Sequence, residues 1–96
     1  MTHNRYRFYV GVVMWKFLER KRDVAGLPDG FSVFPARGMW KGKWEYTVVV
    51  EVITDLLDAD ALAGELARVY NQEAVLVTVD RVESWLIRPS GSRLDR

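Results

Sequence analysis

Apolar and polar residues alternate along RYRFYVGVVM, positions 5 to 14, with Tyr6, Phe8, Val10, Val12 and Met14 on one side and Arg5, Arg7, Tyr9, Gly11 and Val13 on the other. A period of two sends successive side chains to opposite faces of an extended chain, so the stretch predicts a strand with one buried face. The period lengthens in WKFLERKRDVAGL, where Trp15, Leu18, Arg22 and Ala25 recur at helical spacing before Gly26 and the Pro28-Asp29-Gly30 turn. A short helix is predicted there. β character returns in FSVFPARGMW, but Pro35 lacks the N–H that a ladder needs, which assigns this strand to a sheet edge or a bulge. The chain reverses at Lys41-Gly42, and WEYTVVVEVIT then predicts a central strand because Val48, Val49 and Val50 are apolar on both faces. Residues 55 to 71 predict an amphipathic helix carrying Ala59, Leu62, Leu66, Val69 and Tyr70 inward, with Asp58 as N-cap and Asn71 near its end. AVLVTVDRVESWLI reads as one long last strand, with Leu76, Thr78 and Asp80 outward and a bulge near Arg81 able to bury Trp85 and Ile87.

Strand, helix, strand, strand, helix, strand is the order of a ferredoxin-like βαββαβ plait, an α+β fold whose four-stranded antiparallel sheet carries two helices on one face. Residues 1–88 then form one domain and 89–96 a flexible polar tail. Strand parity assigns Trp44, Tyr46, Val48, Val50 and Val52 to the helix side, so Trp44 is expected in the core. Lys41-Gly42 is expected to be a two-residue hairpin turn with positive φ.

Composition narrows the chemistry. The chain has 96 residues, 49% of them hydrophobic, which suits a single two-layer core. It has no cysteine, so disulfides, thiolate metal sites and a cysteine nucleophile are out. The single histidine, His3, sits among polar residues and reads as a weakly held side chain in a loose N-terminal tail. The apolar run Tyr9 to Trp15 is too short for a membrane span, and the chain reads as cytoplasmic. Net charge is +1, yet residues 1–43 hold nine Lys/Arg against three acids and the remainder reverses the balance. Helices of opposite sign lying side by side account for this without a nucleic-acid patch.

Function is expected on the sheet face that the helices leave open. Phe8-Tyr9-Val10-Gly11-Val12-Val13 resembles the RNP2 segment of RNA recognition motifs, and Lys41-Gly42-Lys43-Trp44-Glu45-Tyr46 the RNP1 segment, but Lys43 and Glu45 stand where that family stacks bases on aromatic rings. No serine, histidine and acid set, no phosphate loop and no metal-ligand cluster is present in the sequence. Glu45 and Glu51 share a face but lie ~20 Å apart along an extended strand, too far for joint acid and base work. The leading reading is a non-catalytic protein-binding module, either a homodimer or a binder of another protein, because Val13, Val49, Ile53 and Leu76 would be exposed among charges. Its surface comprises Arg5, Arg7, Tyr9, Val13, Trp40, Lys43, Glu45, Thr47, Val49, Glu51, Leu76 and Thr78. Two alternatives use the same fold: single-stranded RNA, nucleotide or small-ligand binding on that face, and a cofactor-free dimeric plait oxygenase. No cofactor or metal is called for.

Pro28-Asp29-Gly30-Phe31-Ser32-Val33, then Gly38-Met39-Trp40 and Glu45, then Gln72-Glu73-Ala74-Val75-Leu76-Val77, resemble a family of small bacterial and bacteriophage proteins with the same strand and helix order. The resemblance spans about residues 6 to 87 and implies a ferredoxin-like plait of unassigned activity, with the host cytoplasm as its location and a host protein as target if phage-encoded. It brings no catalytic residues.

Overall fold

A computed structural model describes residues 1–94. Four strands, β1 (Thr2–Val10), β2 (Ser32–Trp40), β3 (Lys43–Thr54) and β4 (Leu76–Glu83), form one antiparallel sheet in the order β2-β3-β1-β4. Helix α1 (Met14–Arg20), extended by a 3-10 turn at Lys21–Asp23, links β1 to β2, and helix α2 (Ala59–Val69) links β3 to β4. The fold is therefore α+β, with a four-stranded antiparallel sheet and two helices. A ribbon of β5 (Leu86–Ile87) and β6 (Arg93–Leu94) follows, which departs from a simple βαββαβ alternation.

The core is built by parity. Phe8 and Val10 of β1 and Val48, Val50 and Val52 of β3 point to the same side, where they meet Phe17 of α1 and Leu62, Leu66 and Val69 of α2. All are buried, so the apolar area they withdraw from water dominates the stability of this small domain. Asp58 caps α2 by accepting from the Ala61 N–H at 3.0 Å. Tyr70, at the end of α2, stacks on Phe17 and donates to its carbonyl at 2.7 Å, so one side chain ties both helices together. The β2–β3 hairpin turns on Lys41 and Gly42, with φ of 49° and 78°, the paired left-handed conformation of a type I′ turn.

Several expectations fail here, each for a physical reason. β1 begins at Thr2 and ends at Val10, so Val12 and Val13 serve the turn into α1 rather than the sheet. In α1 the buried residue is Phe17, while Trp15 and Leu18, at the anticipated helical spacing, face outward. Trp44 is 66% exposed and Tyr46 also stands in solvent, although both share the parity of Val48. The hairpin extends past the short α1, which borders Tyr46 only across an open cleft lined by the exposed Trp15 and Leu18. His3 is 5% exposed, because it belongs to β1 and pairs with Val82 of β4. The final strand stops at Glu83 instead of bulging, and Trp85 and Ile87 remain exposed. Beyond Pro89, Arg93 and Leu94 pair back onto Ile87 and Leu86; the last two residues of the anticipated loose tail lie outside the described residues. The oppositely charged helices form no ion pair across their seam among the described residues. Glu65 instead accepts from Arg68 on its own helix and from the Ala25 N–H, which together hold its carboxyl down at about 2.

Burial pushes the Tyr70 phenol up to about 12 from its ordinary 10. A raised folded value means that stability is fully present below pH 10 and is lost as pH climbs toward 12. Tyr70→Phe is expected to cost about 1 kcal/mol at neutral pH through the lost hydrogen bond. It should also remove this contribution to alkaline destabilisation, which urea unfolding of both proteins at neutral and alkaline pH would measure.

Candidate functional site: a groove on the open sheet face

The face opposite the helices is largely closed by its own side chains. Arg5 is held by Asp80 at 2.7 Å across the β1–β4 pair, and Arg7 by Glu51 at 2.8 Å across β1–β3. The Arg7 guanidinium also lies 5.9 Å from the Phe34 ring centre on β2, so it must cross over β3. Val49, between Tyr9 and Phe34 in the register, is consequently 2% exposed rather than open to a partner. Thr47 is buried too. The hydrogen bond to Glu51 raises the Arg7 pKa further above its ordinary value, and the pair leaves little free positive charge on this face.

One end of the face stays open as a groove of about 410 Å³. Its walls are Tyr9 of β1, Ala36, Gly38 and Trp40 of β2, Glu45 and Thr47 of β3, Leu76 of β4, and the loop Gln72, Glu73 and Ala74 between α2 and β4. The hairpin tip is tied to that loop by Lys41, whose Nζ sits 3.0 and 3.1 Å from the two oxygens of Glu73. Gln72 is fixed from three sides. Its amide nitrogen donates to the carbonyls of Gly11 and Tyr70 at 2.9 and 3.0 Å, and its oxygen accepts the Gly11 N–H at 3.2 Å. Two carbonyls on one end of the amide settle which end is nitrogen. Gly11 and Gly38 stand at close approaches of side chains. A Cβ at Gly11 would stand 2.6 Å from the Gln72 oxygen and 3.0 and 3.1 Å from the Glu45 carboxylate oxygens, and one at Gly38 2.9 Å from the Thr47 hydroxyl.

Of the surface anticipated from sequence, Tyr9, Trp40, Glu45, Thr47 and Leu76 gather in this groove. Arg5, Arg7 and Glu51 are consumed in ion pairs, Lys43 and Thr78 are exposed, and Val13 lies on the opposite side in a cleft beside α1. Gln72 and Phe34 were not anticipated. An isolated glycine inside a strand marks a close approach, so Gly38 carried a readable signal; Gln72 carried none.

The helix side has its own open region. Trp15 and Leu18 of α1 line a cleft of about 450 Å³ with Pro35 and Tyr46 of the hairpin, and Met39 pairs directly with Trp44 next to it. Trp15, Leu18, Met39, Trp44 and Tyr46 are all exposed. At the far end of the sheet, the His3 Nδ1 meets a carboxylate oxygen of Asp55 at 3.0 Å, while Nε2 is buried without a hydrogen-bond partner. A carboxylate only accepts, which places the proton on Nδ1. Among the described residues no group of three or more His, Asp or Glu side chains could hold a metal ion, and no helix is long and apolar enough to cross a membrane. No known protein family, curated protein or solved structure matches the chain.

Gly11→Ala tests the packing of the groove floor. In the native background the Cβ collides with Gln72, and a loss of about 1–3 kcal/mol is expected. In a Gln72→Ala background only the Glu45 oxygens at 3.0 and 3.1 Å stay close, and because no hydrogen bond among the described residues holds that carboxylate it can swing aside, so the same change should stabilise by about 0.4–1 kcal/mol through reduced unfolded-state freedom. Urea midpoints of the four proteins check the reversal of sign.

Proposed function

We propose that this protein is a non-catalytic binding module that docks a protein surface through the helix-side face of its overhanging hairpin, with a second copy of the chain as first partner. The observation that carries this reading is the exposure of Trp15, Leu18, Met39, Trp44 and Tyr46 on one connected face. Scattered apolar side chains are ordinary on a surface, but a contiguous set containing three large aromatic rings is what buried interface centres are made of. A net charge of +1 sets little repulsion between copies. The reading keeps protein binding as the function and moves it from the open sheet face, which Arg5, Arg7 and their acids close.

The strand order β2-β3-β1-β4, with both helices packed on one side, supports placing the domain among ferredoxin-like plaits despite the added ribbon. Such plaits carry many functions, so the architecture itself selects none. RNA binding on the open face is less well supported: Trp44 and Tyr46 lie on the helix side, and the groove offers a carboxylate where a phosphate would pass.

Sedimentation at about 100 μM should show a dimer that persists when salt is raised, since apolar association is not screened. Trp44→Ser and Trp15→Ser should each weaken it about tenfold or more if they occupy the interface centre. A monomer at that concentration, at low and at moderate salt, overturns self-association. A monomer that shifts only with an oligonucleotide, and only at low salt, would transfer the function to nucleic acid. A phage-encoded origin would instead make a host protein the partner, and that partner should lose affinity with the same two substitutions.

A further inference from the structure

We propose that the open-face groove is a binding site for an organic ammonium: a primary amine, protonated, carried on a short apolar or aromatic body. The inference stands apart from the docking face, which lies on the other side of the hairpin.

Three acceptor oxygens converge at the groove floor. The Gln72 oxygen and the two Glu45 oxygens lie 2.6, 3.0 and 3.1 Å from where a Cβ on Gly11 would stand, so all three crowd the Gly11 α-carbon and neighbour one another in the groove lining. The Gln72 oxygen takes one N–H, from Gly11, and an amide oxygen has a second lone pair to offer. Glu45 takes no hydrogen bond and forms no ion pair among the described residues. It differs in this from every other acid on the face: Glu51 is answered by Arg7, Asp80 by Arg5, and Glu73 at the rim by Lys41. A half-buried carboxylate beside a second oxygen and without a protein donor is free to take charge-assisted hydrogen bonds from a cation with several N–H groups. An ammonium carries three such donors.

The rest of the lining decides which cation. Tyr9 and Trp40 present aromatic surface, Leu76, Ala36 and Ala74 apolar surface, and the space of about 410 Å³ is far larger than a bare ion needs. Aromatic faces attract a cation and at the same time bury a hydrocarbon body. Among the protein's own cations, Lys41 is engaged by Glu73 and lies 5.9 Å from the Trp40 ring, near the mouth. Lys43 is exposed opposite Trp40 and makes no ion pair among the described residues. Neither neutralises Glu45, and Lys43 at the rim disfavours a ligand with a second positive charge. The chemistry is the same for a free amine and for a lysine side chain of a peptide.

The test compares 2-phenylethylammonium with neutral 2-phenylethanol, followed by the amide resonance of Gly11 and the indole resonance of Trp40. The ammonium should give saturable shifts at both, and the alcohol should bind at least tenfold more weakly. Glu45→Gln should reduce ammonium affinity at least tenfold while leaving the alcohol unchanged. If that variant does not fold, the charged and neutral probes on the native protein still decide. Nα-acetyl-lysine methylamide distinguishes the sources: tighter binding than the free amine assigns the site to a protein lysine, weaker binding to a free amine. The proposal is overturned by no saturable shift at Gly11, by equal binding of ammonium and alcohol, or by calcium or sodium ions alone reproducing the Gly11 shift. None of these outcomes depends on whether the protein dimerises.

Discussion

The helix-side surface of this domain follows from a mismatch of lengths. β3 runs for 12 residues, and an extended strand of that length covers ~40 Å. The helices that should roof it have 7 and 11 residues, or ~10 and ~16 Å. The roof therefore covers Val48, Val50 and Val52 and stops. Further toward the hairpin turn the same alternation continues through Tyr46, which meets only the Arg37 guanidinium 4.8 Å from its ring centre and the open cleft beside α1, and through Trp44, so residues patterned for a core stand exposed. α1 adds to the effect: Phe17 is its one fully buried residue among the described residues, Met14 packs against the core only in part, and Trp15 and Leu18 extend the apolar surface of the hairpin sideways.

On the other side of the sheet the deciding force is electrostatic closure. Exposed ion pairs contribute little to stability, about 0.2–1 kcal/mol each. Their effect on recognition is larger, because Asp80 and Glu51 cancel the two arginines best placed to receive an anion. Arg7 in addition lies across β3 toward Phe34 and keeps Val49 dry. What remains accessible is the groove near the hairpin, whose lining carries an unanswered negative charge at Glu45 while Lys43 stands exposed at its rim. The sign at Glu45 is opposite to the one suggested by counting the basic residues of the first half of the chain.

The sequence made the sheet and its sidedness readable. Alternation at Phe8 and Val10, the apolar run Val48 to Val50, Pro35 on an edge strand, the Asp58 cap and the Lys41-Gly42 turn are local patterns, and local patterns write themselves into spacing. Two things were not readable. Parity says which side a residue points to, but coverage depends on how far another element extends, so Trp44 was assigned the correct side and the wrong environment. Partnership is also non-local: Arg5 meets Asp80 across 75 positions, Gly11 meets Gln72 across 61, and His3 meets Asp55 across 52. No period in a single sequence encodes such pairs. The groove was accordingly half visible, with Tyr9, Trp40, Glu45, Thr47 and Leu76 on a shared face and Gln72 absent.

The two surfaces share one ribbon, which limits how independent they can be. Met39, Trp44 and Tyr46 point to one side of the β2–β3 hairpin and Gly38, Trp40 and Glu45 to the other, so any tilt of the hairpin moves both. Its position relative to the α2–β4 loop is fixed at the tip by the Lys41–Glu73 pair, in which both side chains are about two-thirds exposed. Such a contact holds the tip by at most about 1 kcal/mol, and a link of that size transmits no more than about a fivefold change in affinity from one face to the other. Strong coupling would need a second arrangement of the buried β1–β3 pair, and the fully packed Phe8, Val10, Val48 and Val50 oppose one. The rigid half of the sheet thus keeps the two sides of the hairpin nearly independent.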